Sequence, residues 1–118
     1  MKQPQNDSKY EWTHHAWMKM QYYGIAEGRI KRIIRFPKRT EEGIAPDTVA
    51  VMQPAGTKRY SEIWVMYKVS KSKTPSKIQN FPLETKKIKV ITAWRYPGES
   101  PERDPVPQEI LQEVHTLL

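Results

Sequence analysis

Apolar and polar residues recur along this chain with two different periods, and the switches between them mark the elements. In "KYEWT" (residues 9–13) Tyr10 and Trp12 fall on one side and Lys9 and Glu11 on the other, the two-residue period of a short half-buried strand. The period then lengthens. Ala16, Trp17, Met20 and Tyr23 recur at helical spacing, between Thr13, a good N-cap, and Gly24, placed where a helix end favours a left-handed residue. A second helix is predicted from Ala26 to Phe36, stopped by Pro37, with Ile30, Ile33 and Ile34 as its buried stripe.

Three strand signals follow. "TVAVMQ" (48–53) alternates around Val49 and Val51, and "KKIKVITAWRY" (86–96) alternates through Ile88, Val90, Thr92 and Trp94. Between them "SEIWVMYKVS" (61–70) is apolar on both faces, with Ile63, Val65, Tyr67 and Val69 against Trp64 and Met66. A strand with no polar face belongs in the middle of a sheet covered on both sides. "PAGTKR" (54–59) suits a hairpin loop, and the Lys/Pro/Ser-rich residues 71–85 read as a longer loop in which Phe81 and Leu83 dock. "PGESPERDPVP" (97–107), with four prolines in eleven residues, reads as an extended arm. Pro107 then suits the start of a short terminal helix with Ile110, Leu111, Val114, Leu117 and Leu118 as its stripe.

The predicted order is β-α-α-β-β-β with a terminal helix. Short links between consecutive strands favour an antiparallel pairing, so the expectation is an α+β fold: two N-terminal helices on a mostly antiparallel sheet of three to four strands. Residues 1–8 are expected to be a disordered N-terminus, 9–96 a single domain, and 97–118 a Pro-rich arm with an amphipathic tail.

Charge changes this picture from a generic domain to one with a preferred partner. The 118 residues carry 20 Lys and Arg against 13 Asp and Glu, a net charge of +7. The excess is concentrated, with nine bases against three acids in residues 1–40 and ten against two in 58–96, whereas 97–118 carry one base and five acids. A basic body favours polyanions, nucleic acid above all. The absence of cysteine fits a reducing compartment, and the polar "MKQPQNDSKY" does not read as a signal peptide. No apolar run approaches the roughly 20 residues that span a bilayer. A soluble, cytoplasmic protein with no membrane partner is the expectation.

The densest basic constellation lies on the second predicted helix. Six of the eleven residues from Arg29 to Arg39 are Lys or Arg, opposite the isoleucine stripe. Arg29, Lys31, Arg32, Arg35, Lys38 and Arg39, joined by Lys19 on the first helix, are candidate RNA contacts through phosphate, with salt-dependent affinity and little sequence preference. The two adjacent histidines divide by position. Side chains one residue apart on a helix diverge by about 100°, so His14 and His15 do not converge on a metal, and neither a metal nor a cofactor is expected. His14 shares the outer arc with Met18 and Gln21, and His15 lies beside Lys19 at the edge of the apolar face. A helix N-terminus and a neighbouring ammonium disfavour imidazolium, leaving His15 neutral near pH 7, as a general base requires. It reads either as a seam histidine bonded to a backbone carbonyl or as a proton acceptor. Metal-independent RNA cleavage needs a base, an acid and a cation at phosphorus; His15, Tyr96 and Arg95 are the candidate catalytic residues, provided the last strand passes the first helix.

The head "THHAWMKMQYYGIAEGRIKRIIRFPKR", through His15–Ala16, Lys19–Met20, Gly24–Ile25 and Pro37, resembles an uncharacterised family of small bacterial domains, over roughly residues 10–96. That family is itself similar to the RelE and BrnT type of ribonuclease toxins. The resemblance implies an RNA-binding, RelE-like domain, a toxin-type endoribonuclease acting on free or ribosome-bound RNA, and a small antitoxin-like protein partner. A second reading stays open, a non-catalytic module that uses the same basic face and apolar tail to hold nucleic acid or protein. A DNA-binding accessory protein is a third, weaker candidate.

Overall fold

The computed structural model describes residues 1–44, 46–75 and 82–117, with side chains described throughout these except at 71–75, 82–85 and 116–117. Its order is β1 (Tyr10–Trp12), α1 (His14–Tyr23), α2 (Glu27–Arg35), β2 (Arg39–Glu42), β3 (Thr48–Pro54), β4 (Ser61–Pro75), β5 (Pro82–Pro97) and α3 (Gln108–Leu117). The fold is α+β, but the sheet is larger than the pattern predicts. It has five strands in the order β1-β5-β4-β3-β2, and it is mixed, since β1 runs parallel to β5 while the other pairs are antiparallel. The added strand, "RTEE", has no apolar residue to betray it and is an edge strand held by backbone pairing to β3, its charges suited to a free edge. The loop expected over 71–85 is strand through Pro75 and again from Pro82. Residues 76–81, Phe81 among them, lie outside the described residues, as does the side chain of Leu83.

The strand with two apolar faces is the central one. Ile63 and Val65 of β4 face one cluster with Ala16, Met20, Ile30, Ile33, Val51 and Val90, and Trp64 and Met66 face a second with Ala50, Met52, Ile91, Trp94, Ile110 and Val114. Helices α1 and α2 cover the first face. The second is covered by α3, so the C-terminal tail docks on its own domain and helices lie on both sides of the sheet. Ile110 and Val114, one turn apart and fully buried, each contribute about 1.5–3 kcal/mol by leaving water. Residues 1–8 form no regular element, though Pro4 is buried and Asn6 and Asp7 accept hydrogen bonds from the backbone of Trp12, Lys9 and Tyr10.

The alternation predicted for β5 breaks at a bulge. Met66 pairs with Thr92 but Tyr67 pairs with Val90, leaving Ile91 as the extra residue. A bulge of one residue moves everything beyond it to the other face. Val90 therefore joins the α1/α2 side and Trp94 the α3 side, where strict alternation puts them together. Thr13 seals the bulge. Its hydroxyl donates to the carbonyls of Val90 and Ile91 (3.0 Å each) while accepting from the Ala16 amide at 3.0 Å, so the N-cap of α1 also anchors that helix to β5. The far end of α1 closes on Gly24, left-handed at φ 66°.

On the α3 side a buried carboxylate ties the arm of residues 97–107 to the sheet. Glu62 accepts from the Tyr60 hydroxyl (2.9 Å), the Trp64 indole (3.0 Å) and both the amide and hydroxyl of Ser100 (3.2 and 2.5 Å), with the Arg39 guanidinium 3.6 Å away. Burial alone would push this carboxyl up. The donors from Ser100, Trp64 and Tyr60 outweigh it and hold the group below its ordinary 4.5. A depressed carboxyl stabilises the fold above its unfolded value and loses that contribution as pH falls through the folded one. We expect Glu62→Ala to cost about 3–5 kcal/mol, because Arg39 is left facing an empty buried site. Glu62→Gln should flatten the acid limb of stability below about pH 4.5. Urea titrations between pH 3 and 7 test both; a wild-type acid limb retained in Glu62→Gln would assign that limb to other carboxylates.

Candidate nucleic-acid interface

Helix α2 places its cations by the same periodicity that buries Ile30 and Ile33. The result is not one uniform basic face. Arg29 donates to the Pro54 carbonyl at 2.7 Å, and Lys31 pairs with Glu27 at 2.8 Å while lying 5.0 Å over the Tyr10 ring. The bond to Glu27 holds the Lys31 ammonium above its ordinary value. Arg39 is drawn inward as well. Its guanidinium stacks on Trp64 at 5.1 Å and donates to the Ser100 carbonyl and hydroxyl and the Pro101 carbonyl at 2.9–3.1 Å. Lys19 pairs with Glu113 of α3 at 2.8 Å, near the Tyr22 and Tyr23 rings. Four of the seven candidate cations are thus engaged within the fold.

The other three form a patch. Arg32, Arg35 and Lys38 are exposed, and among the described residues their side chains meet no carboxylate within ion-pair distance. Phe36 stands among them at 69% exposure. Gln53 fastens this corner, its amide donating to the carbonyls of Arg32 (3.3 Å) and Phe36 (2.8 Å). The turn that follows, residues 55–60, adds exposed Lys58 and Arg59 and a part-exposed Tyr60. The sequence pattern marks this turn only as a hairpin connection. Its Lys-Arg-Tyr run is the signal of a wider surface, legible only once Gln53 has brought the turn toward the end of α2.

The catalytic candidates are dispersed. The last strand does pass the first helix, but Arg95 meets its far end, with Nε donating to the Tyr23 carbonyl at 2.8 Å. His15 sits at the near end, eight residues earlier and about 12 Å away along the axis. Tyr96, next to Arg95 on β5, points to the opposite face and packs against the second cluster. His15 is only 12% exposed, with Nε2 3.4 Å from the Glu113 carboxylate, yet neither Nε2 nor Glu113 Oε2 has a hydrogen-bond partner among the described residues. Burial lowers its pKa first; Lys19 and His14 lower it further and Glu113 opposes them. His14 lies on the exposed outer arc with Met18 and Gln21. Among the described residues no three His, Asp or Glu side chains come together as a metal site would need, and no helix is long and apolar enough to cross a membrane. No family model, curated protein or solved structure matches the chain, so the likeness to RelE and BrnT toxins rests on the sequence pattern alone.

The seam makes a pH prediction. A histidine whose folded pKa lies below its unfolded 6.5 binds protons more weakly in the native state. Stability should be fully present above about pH 6.5 and decline as pH falls toward the lowered value. His15→Gln should remove that slope, measured as urea midpoints from pH 7.5 to 5. An unchanged slope would mean that His15 does not titrate against the seam.

Proposed function

We propose that this protein is an RNA-binding module that holds single-stranded RNA on the patch of Arg32, Arg35 and Lys38 around Phe36. The observation that carries the reading is that pattern of cations left unpaired around an exposed ring. Unpaired bases stack on such rings at about 1–3 kcal/mol per base, and the flanking cations take the phosphates. Lys58, Arg59 and Tyr60 extend the same chemistry toward the hairpin turn.

The reading is binding without cleavage. Arg95 is committed to a backbone carbonyl, Tyr96 faces away, and His15 is enclosed behind Glu113, so base, acid and phosphate-neutralising cation do not share a surface. Affinity for a short unstructured RNA should fall steeply with salt, and Arg32→Glu with Arg35→Glu should reduce the log–log slope by about 0.7 for each phosphate no longer neutralised. Phe36→Ala should weaken binding by about 1–3 kcal/mol at every salt concentration without changing that slope. Fluorescence anisotropy across a salt series measures both. An unaltered slope in the folded double variant would move the interface elsewhere. Wild-type cleavage of the RNA, abolished in His15→Ala, would restore the enzymatic reading.

A further inference from the structure

The strongest charge concentration that this reading leaves unused lies at the other end of β4. Strand β3 pairs with β4 only as far as Lys68, and β1 pairs with β5 only from Ile88 to Val90. Beyond those limits β4 and β5 continue together for six cross-strand pairs, Ser70↔Lys87 to Pro75↔Pro82, as a two-stranded ribbon about 17 Å long. Residues 68–75 and 82–89 carry six lysines against one glutamate and no aromatic residue.

The register makes this charge costly. At the root of the ribbon, where β1 and β3 still flank the two strands, Lys68 lies opposite Lys89, and Lys87 shares their face two residues along β5. Like charges in directly opposed positions destabilise a strand pair, and a ribbon of two strands is marginal in water to begin with. On that face Lys68 and Lys89 are exposed and Lys87 is half-buried, and among the described residues the relief is a half-exposed pair, Lys89 with Glu11 at 3.6 Å. A polyanion laid along this face relieves the repulsion.

We infer that the ribbon is a second RNA contact, one that grips the phosphate backbone of a double-stranded stem. This deepens the proposed function and rests on it, naming the RNA as a stem joined to a single strand. The two ends of β4 differ in the chemistry they offer. The α2 corner has exposed rings for unpaired bases. The described residues of the ribbon offer ammonium groups and the Ser70 hydroxyl and no ring to stack on, which suits a helix whose bases are hidden and whose surface is phosphate and 2′-hydroxyl. Eight residue steps of β4, from Ser61 to Val69, separate the two ends by about 27 Å, so one strand and one stem reach both without competing.

The test uses the full chain and three RNAs: a hairpin stem with a single-stranded tail, the stem alone, and the tail alone. In the triple variant Lys68→Gln, Lys87→Gln, Lys89→Gln, affinity for both stem-containing RNAs should fall at least tenfold at low salt, and their log–log salt slopes should drop by about two to three units, close to one per lysine. Binding of the tail alone should not change. Arg32→Gln with Arg35→Gln should do the reverse, weakening the tail and sparing the stem. Replacing the same three lysines by arginine should retain stem binding, which separates lost charge from a damaged ribbon. Unchanged stem affinity in the glutamine variant overturns the inference, as does a variant whose only new property is self-association, which would make the lysines guards of the ribbon's open edges. A DNA stem bound more tightly than its RNA counterpart overturns the assignment to RNA. A wild type that binds the stem but not the tail defeats the α2 reading and leaves the ribbon standing; one that binds neither defeats both.

Discussion

The second face of this sheet depends on one carboxylate removed from water. A naked charge there would be prohibitive, and Glu62 is tolerated only because three side chains and a backbone amide donate to it while a guanidinium stands close by. Its partners belong to four different pieces of chain. Trp64 is the strand itself, Tyr60 the hairpin turn, Ser100 the arm, and Arg39 the edge strand. Satisfying one buried group therefore fixes four segments at once. The arm, so fixed, brings the Pro105 carbonyl to the Trp94 indole at 3.2 Å and delivers α3 to the face it covers. Across the sheet the same level carries Arg39, Met52, Trp64 and Trp94 in register, with the two indole rings stacked 5.9 Å apart and nearly parallel. Arg39, which charge alone assigns to solvent and phosphate, is the end of that row.

The bulge at Ile91 has an equally wide reach on the other side. It turns Arg95 toward the helices, where the guanidinium meets the C-terminal end of α1, while the carbonyls it frees accept from Thr13 at the N-terminal end. Helix α1 is thus held to β5 at both ends. It lies at the border of the two faces, and that position lets Lys19 and His15 meet Glu113 of a helix packed on the opposite side of the sheet.

Much of this was legible in the sequence wherever a short-range rule decides. Thr13 and Gly24 bound α1, Ile30 and Ile33 of the predicted α2 stripe are buried with Ile34 half-buried beside them, and the doubly apolar "SEIWVMYKVS" is the central strand. The failures share a cause. "RTEE" is a strand because β3 offers it a backbone partner, not through any side-chain pattern. A bulge is one residue's departure from alternation, invisible without the register of the neighbouring strand. The partners of Lys19 and Arg39 lie 94 and 61 positions away, and no local pattern distinguishes a cation that will be captured from one that stays in water. The candidate interface was therefore legible as a charge excess but not as a shape.

The parallel pairing of β1 with β5 also has a temporal side. Tyr10 and Trp12 find their partners at Ile88 and Val90, and the Thr13 hydroxyl bonds a carbonyl 77 positions later. A ribosome adding about 5–20 residues per second needs roughly 4–15 s to supply that partner strand. Through that interval the first strand has no neighbour, α1 lacks the anchor of its cap, and two aromatic rings destined for the core stay in contact with water or a chaperone. Closing so long a loop is slow by topology, so the nascent chain assembles from its middle outward: the β3–β4 hairpin with α2 can form first, and the N-terminal strand is among the last pieces to be seated.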